Sequence, residues 1–256
     1  MRKRSIVLIE LIIIIVLLAI ITLGITTYIS EALNFNATSI NQQKAIYAAQ
    51  AGVMKAIVDY ETNGSITAAT DAQIADNLYY SIGGAGMFFL ADCSNPSILA
   101  GRKLKNISMT NLSSTEDVII THMQVSWAPD GGENLTEIDL GRATVEWSGT
   151  AQSGTNIDMI DFTIPAGTTE NDVWLDWEVG SDISAMTISA ILTFSDASTL
   201  EIVLLNAGQG SSNAITITST GKAVSPYVWR RTLKAGYDVG TSAIISWEES
   251  QEHIIP

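Results

Sequence analysis

The chain carries one cysteine, Cys93, in 256 residues, so it has no internal disulfide and no multi-cysteine zinc site. Two histidines, His122 and His253, are available for acid–base work, and neither has a partner at metal-binding spacing. Basic residues are scarce as well. Thirteen lysines and arginines stand against 27 acidic residues, leaving a net charge of −14 and an isoelectric point near 4.4. A phosphate-tracking nucleic-acid binder needs a basic face, so nucleic acid is excluded as a partner. Charged residues amount to 16% and apolar residues to 46% of the chain. That balance excludes a disordered chain, which needs low hydrophobicity and high charge. With so little chemistry at hand, the expectation is a protein that is not an enzyme and holds no cofactor.

The apolar excess is concentrated. Residues 6–29 read IVLIELIIIIVLLAIITLGITTYI, and from Ile6 to Ile25 the one charge is Glu10. Twenty residues at about 1.5 Å each rise roughly 30 Å, the thickness of a bilayer's hydrocarbon core. Ile6, Leu11, Ile15, Leu18 and Leu23 belong to this transmembrane segment. Arg2, Lys3 and Arg4 precede it, and the next basic residue is Lys44. The positive-inside rule then puts the N-terminus in the cytoplasm and the long C-terminal part outside. A secretory signal peptide also has a basic start and an apolar middle. Its apolar region runs only about 7–15 residues, however, and Gly24-Ile25-Thr26 makes a poor cleavage site.

Glu10 costs on the order of 2.5–3.5 kcal/mol inside a membrane span, so it calls for a partner or a role; an idle place at the interface beside Arg4 explains the residue alone equally well. Its setting consists of a short basic leader, the small residue Ser5, apolar Ile6, Glu10 four positions on, and then an unbroken apolar helix. That setting resembles the class III signal of type IV pilins. The resemblance implies cleavage by a prepilin peptidase between Ser5 and Ile6, which releases residues 1–5 as a leader and leaves a new, methylated amine on Ile6. It also implies that Glu10 pairs in assembly with the N-terminal amine of a neighbouring subunit. The chain departs from the family at two positions, with Ser5 where glycine is usual and Ile6 where an aromatic residue is usual.

From Asn41 the chain reads NQQKAIYAAQAGVMKAIVDYETNG. Ile46, Ala49, Val53, Ile57 and Tyr60 fall on one helical stripe, and Asn63-Gly64 form a stop. One pilin-like helix is therefore expected over 6–62, with 6–29 as its transmembrane part. The stretch AIYAAQAGVMKAIVDY resembles the corresponding region of PilX-type minor pilins, with Gln50 where glutamate is common, and it equally fits an ordinary Ala-rich amphipathic helix.

The remainder is β-rich, giving an α+β chain. Alternation is clear at Ile119, Thr121, Met123, Val125 and Trp127, with His122, Gln124 and Ser126 opposite. It returns at Met186, Ile188, Ala190, Leu192 and Phe194, and at Val173, Leu175, Trp177 and Val179 with Asp176 and Glu178 opposite. Turn clusters at Pro129–Gly132, Ser148-Gly149, Pro165–Gly167, Ser195–Ser198 and Gly208–Gly210 separate the strands. About seven strands over 104–206 fit an immunoglobulin-like β-sandwich. Residues 207–256 add about three strands, expected to pack on the amphipathic helix. Residues 63–103 form a connecting region, with Asp71 to Tyr80 as a short helix and Gly83–Gly86 as a loop.

Chemical motifs are few. Gly83-Gly84-Ala85-Gly86 lacks the spacing of a dinucleotide fingerprint, and no Gly-x-Ser-x-Gly elbow accompanies His122. Asp130, Glu133 and Asn134, or Glu170, Asn171 and Asp172, offer oxygens to calcium but lack the EF-hand pattern, and solvated turns explain them better. Trp127, Trp147, Trp174 and Trp177 suit core and rim packing more than a sugar-binding surface. Arg230 and Arg231 are expected on opposite faces of a strand. Sequons stand at Asn36, Asn63, Asn106, Asn111 and Asn134.

These features point to a structural filament subunit, a minor pilin, held in the cytoplasmic membrane as a precursor and extracellular once assembled. Its partners would be other pilin subunits and the prepilin peptidase. The rival expectation is a single-pass anchored ectodomain that binds a ligand or carbohydrate without assembling.

Overall fold

The computed structural model describes residues 2–141, 145–207, 214–224 and 228–252, with the side chains of residues 2–17, 34, 251 and 252 outside that description. Helix α1 (Arg2–Asn63) is uninterrupted, because no proline and only two glycines fall within it. It ends where Gly64 adopts φ 70° and donates its N–H to the Tyr60 carbonyl at 2.7 Å.

Beyond the helix, β1 (Ala69–Ala75) and β2 (Leu78–Ile82) form a hairpin. A short 3-10 turn at Ala85–Phe88 leads into β3 (Phe89–Asp92), β4 (Ser97–Leu99), β5 (Lys103–Asn111), β6 (Val118–Ala128) and β7 (Leu135–Leu140). Then come β8 (Trp147–Ala151), β9 (Thr155–Ile164), β10 (Thr169–Trp177), β11 (Thr187–Phe194) and β12 (Thr199–Leu205). The last three strands are β13 (Ala214–Val224), β14 (Val228–Asp238) and β15 (Ala243–Glu252).

The strands form three antiparallel sheets. One, ordered β1-β2-β13-β14-β15, carries α1 against β2, β13 and β14. The other two, β3-β5-β10-β7-β8 (with β4 also on β5) and β12-β11-β6-β9, face each other. Across that interface Phe89 meets Phe194 at 5.6 Å, and Trp127 meets Trp177 edge-on at 5.7 Å. The chain is thus one long helix followed by a β-rich region with a two-sheet sandwich. One hydrophobic cluster runs from Ala49 and Val53 on the helix through to Trp177 and Leu204 in the sandwich.

The three expected C-terminal strands pair in sequence order beside the helix. Eight strands, β5 to β12, occupy 103–205 where about seven are expected. The connecting region supplies strands to both units. Asp71 to Tyr80, expected as a short helix, is instead a hairpin. Asn77 turns it at φ 61°, and Tyr79 and Tyr80 pair with Lys222 and Gly221 of β13, so tertiary pairing overrides local helical pattern.

The β6 alternation holds from Met123 to Trp127 but not before it. Ile120 is buried, while Ile119 and Thr121 lie on the outer face. Thr121 is an extra residue between the pairs Thr193–His122 and Phe194–Ile120, and this bulge reverses the phase. Val179 also departs from its pattern: β10 ends at Trp177, and Val179 is 87% exposed. The expected turn at Gly208–Gly210 and the residue His253 lie outside the described residues.

Candidate functional site

Ser5, Ile6, Glu10, Leu11 and Ile15 lie on the backbone of α1, and their side chains lie outside the described residues. Leu18 and Leu23 are exposed, as are Ile20, Ile21, Ile25, Ile29 and Phe35. These side chains project all round the helix, where a surface helix would bury one stripe. Residues 18–40 rise about 35 Å, more than the hydrocarbon core of a bilayer. Among the described residues, one helix is long and apolar enough to cross a membrane, and none of its most apolar window is buried.

Three threonines within this segment bond to their own helix. Thr22, Thr26 and Thr27 donate their hydroxyls to the carbonyls of Leu18, Thr22 and Leu23 at 2.7–2.9 Å. A hydroxyl that back-bonds to its own helix needs no water, so these threonines cost little in an apolar surrounding.

The second half of α1 is seated. Asn41, Ala45, Ala48, Ala49, Val53, Ala56 and Ile57 are buried at the helical repeat, taking in Ala49, Val53 and Ile57 of the predicted stripe, while Ile46 and Tyr60 are half-buried at its margin. The contact surfaces are small on both sides. Gly52 of α1 faces Ser219 of β13, and Gly221 faces the Ala45 carbonyl and the Ala49 amide. A Cβ on Gly52 would stand 2.9 Å from Tyr80 Cδ2 and still closer to Ser219 Oγ. One on Gly221 would stand 2.9 Å from the Ala45 carbonyl carbon and overlap its oxygen outright. The helix backbone therefore lies directly on the strand backbone. Sequence reasoning did not single out this pair, although a glycine inside an alternating strand signals close backbone approach.

Polar contacts hold both ends of the seat. Tyr237 donates its hydroxyl to the Glu61 carboxylate, which pushes the phenol pKa up, and its ring meets Tyr60 edge-on at 6.4 Å. Lys55 pairs with Asp59 one turn on. Arg231 is buried and reaches Glu249 at 3.2 Å, while Arg230 is exposed, so the two alternate as expected.

The seat is tied to the sandwich. Ile66, just past the helix, donates its N–H to the Leu112 carbonyl at 2.8 Å. Asp196, in the β11–β12 turn, accepts from the Ala85 N–H at 2.8 Å, and at the same joint the Gly86 N–H donates to the Ser198 hydroxyl oxygen at 3.3 Å.

The remaining candidates hold no reactive arrangement. Burial, with Asp92 beside it, pushes the Cys93 thiol up to about 12, leaving it inert. His122 meets Thr121 at 3.0 Å and Asp158 at 3.6 Å. Asp130 and Glu133 accept the N–H groups of Gly132 and Gly131 within their own turn. Among the described residues, no group of three or more His, Cys, Asp or Glu side chains is placed to hold a metal. Trp127 and Trp177 are core residues, and Trp174 lies under the Lys103 ammonium at 3.3 Å. No family model, curated protein or solved structure matches the chain.

Proposed function

We propose that the chain is a structural subunit, a minor pilin, of a type IV pilus or related extracellular filament. One observation carries this: a single continuous helix is bare and apolar over residues 18–33 and clamped backbone-to-backbone on a sheet in its second half. A helix held so rigidly cannot fold back to hide its apolar half, which must find lipid or other helices. The resemblance of the leader to the class III signal favours both in turn. The precursor rests in the cytoplasmic membrane with its N-terminus inside. Prepilin peptidase cuts between Ser5 and Ile6, and the freed helices then pack in the filament core while the β-rich region faces outward. The subunit performs no catalysis.

An immunoglobulin-like order for the sandwich is part of this reading. From β6 to β10 the strands alternate between sheets as B, C, C′, E and F do in that fold, with β6 and β9 in one sheet and β7, β8 and β10 in the other. The strand beside β10 is β5, which comes earlier in the chain and takes the place that G would fill.

Purified surface filaments and the membrane fraction, each probed for this chain and sequenced from the N-terminus, test the proposal. Ile6 as first residue of filament-borne chains is the expected result. An intact Met1 start, with the chain confined to membranes, would replace the filament subunit with a non-assembling, ligand-binding anchor.

A further inference from the structure

The five sequons are not equivalent in the fold. Asn111 is 1% exposed, and its amide donates to the carbonyls of Glu116 at 2.8 Å and Ile164 at 2.9 Å while its oxygen accepts from Ser113 N–H. Both amide hydrogens are committed inside the protein, so no sugar can be carried there. Asn134 donates to the Glu178 carboxylate at 3.2 Å. Asn36 is exposed on the bare part of α1, the surface that the filament reading packs against neighbours, and Asn63 is exposed as the last residue of α1.

Asn106 alone of the five stands on a strand bulge beside an open cavity. It is exposed, and among the described residues its side chain makes no hydrogen bond. Its backbone takes φ 61°, a conformation asparagine tolerates better than most residues. The cause is a bulge: Lys105 and Asn106 together oppose the single residue Trp174, because Leu104 pairs with Leu175 and Ile107 with Val173. On its other side β5 is covered by two short strands with a gap between them. β3 ends at Asp92, opposite Ser108, and β4 begins at Ser97, opposite Lys105. Asn106 lies opposite the gap. The gap is an open cavity of about 270 Å³ lined by Asp92, Ser94, Asn95, Ser108 and Asn171 besides Asn106. Apart from Ile107, its lining side chains are hydroxyls, amides and one carboxylate, and its volume falls just below the roughly 300–1,000 Å³ of sites for drug-sized ligands.

We infer that Asn106 is an N-glycosylation site and that the first sugar of its glycan occupies this cavity, closing the break in the edge of β5. The inference rests on the outward placement of the β-rich region proposed above. The donor is an oligosaccharide linked through phosphate or pyrophosphate to a polyprenyl lipid. Asn106 Nδ2 forms a bond to the sugar's C1, the C1–O bond to phosphate breaks, and the lipid phosphate leaves with that electron pair. The proton lost from Nδ2 passes to a base of the transferase, and nothing is oxidised or reduced. Hydroxyl and amide groups around the cavity suit a sugar ring, and the covered strand edge is protected from pairing with other chains.

The test uses the full chain from its native cells. Protease treatment of intact cells first establishes whether the β-rich region is outside; finding it inside overturns both this inference and the filament reading. Peptide mass spectrometry then reads each sequon. The expected result is an oligosaccharide mass on the Asn106 peptide and none on the Asn111 peptide. Ser108→Ala, which keeps Asn106 but removes the sequon hydroxyl, should lower the modified fraction at least tenfold. An unmodified Asn106 on an externally exposed chain overturns this inference alone, as does modification that persists in Ser108→Ala. Hydrogen exchange tests the seated sugar: amides of Ser94, Asn95 and Asn171 should exchange several-fold more slowly in the glycosylated chain than in Asn106→Gln. Equal rates would put the glycan in solvent and refute its place in the cavity.

Discussion

Gly52 of the helix and Ser219 of β13 meet with no room between them for one more carbon atom. Ser219 Oγ is fully buried there and has no hydrogen-bond partner among the described residues. Gly52→Ala should therefore destabilise the fold by about 1–3 kcal/mol, the usual cost of overpacking. Ser219→Ala removes an unsatisfied hydroxyl and should be neutral or stabilising, since such a group costs about 1–3 kcal/mol when buried. Ser219→Gly vacates the space and should recover part of the Gly52→Ala loss. Urea unfolding of the four chains in detergent checks this as a double-mutant cycle, and additive effects would show that the two sites do not touch.

Trp177 is wholly buried and stands edge-on to Trp127, and among the described residues neither indole N–H has a hydrogen-bond partner. The pair therefore works through area and shape. Trp177→Ala should cost about 3–5 kcal/mol. Trp177→Phe gives up no hydrogen bond and should cost clearly less, as measured by urea unfolding followed by circular dichroism.

Asp196 governs how the joint between seat and sandwich responds to acid. Partial burial raises its pKa, but hydrogen bonds from the Ser198 hydroxyl and from the Ala85 and Ser198 amides outweigh it and hold the carboxyl below its ordinary value. A group depressed in the folded state contributes stability that is present above its unfolded pKa, roughly 3.9, and is lost as pH falls through the folded one. Asp196→Asn should thus lower Tm at pH 7, and the gap to the parent should shrink toward acid. Melting curves between neutral and strongly acid pH check the sign; a gap that widens in acid would contradict it.

The helix and most strands were legible because burial imposes period 3.6 or 2 on them. Val53 and Ile57 mark the seated face, and Met186, Ile188, Ala190, Leu192 and Phe194 mark an inner sheet face, all of them buried. What escaped has local causes. The Thr121 bulge shifts the phase by one residue without any glycine or proline to announce it. Asp76 and Asn77 look like the middle of a weak helix until β13 is there for Tyr79 and Tyr80 to pair with. Gly52 and Gly221 are far apart in sequence, and only the fold makes them one feature. Asp176 reads as a solvent-facing strand residue, yet Arg102 at 2.5 Å and Lys103 at 3.3 Å cover it, a contact between strands that period alone does not reveal.

On the filament reading, Glu10 of the membrane-held precursor would lie near the cytoplasmic interface, where water and headgroups soften its desolvation. In a bundle of helices it is drier, and the amine of a neighbour's Ile6 would restore the lost solvation. At about 4 Å and an effective dielectric of 20, that attraction is roughly 4 kcal/mol, enough to set the axial register of sliding helices. Packing alone is a poor guide to register, because the isoleucine- and leucine-rich run around Glu10 looks much the same after a shift of one turn. Glu10→Gln keeps the shape and removes the charge. Insertion and cleavage should be normal, and the share of the chain in purified filaments, read by immunoblot against the membrane pool, should fall at least tenfold. Equal incorporation would make Glu10 a bystander at the interface and leave register to the seated half of the helix.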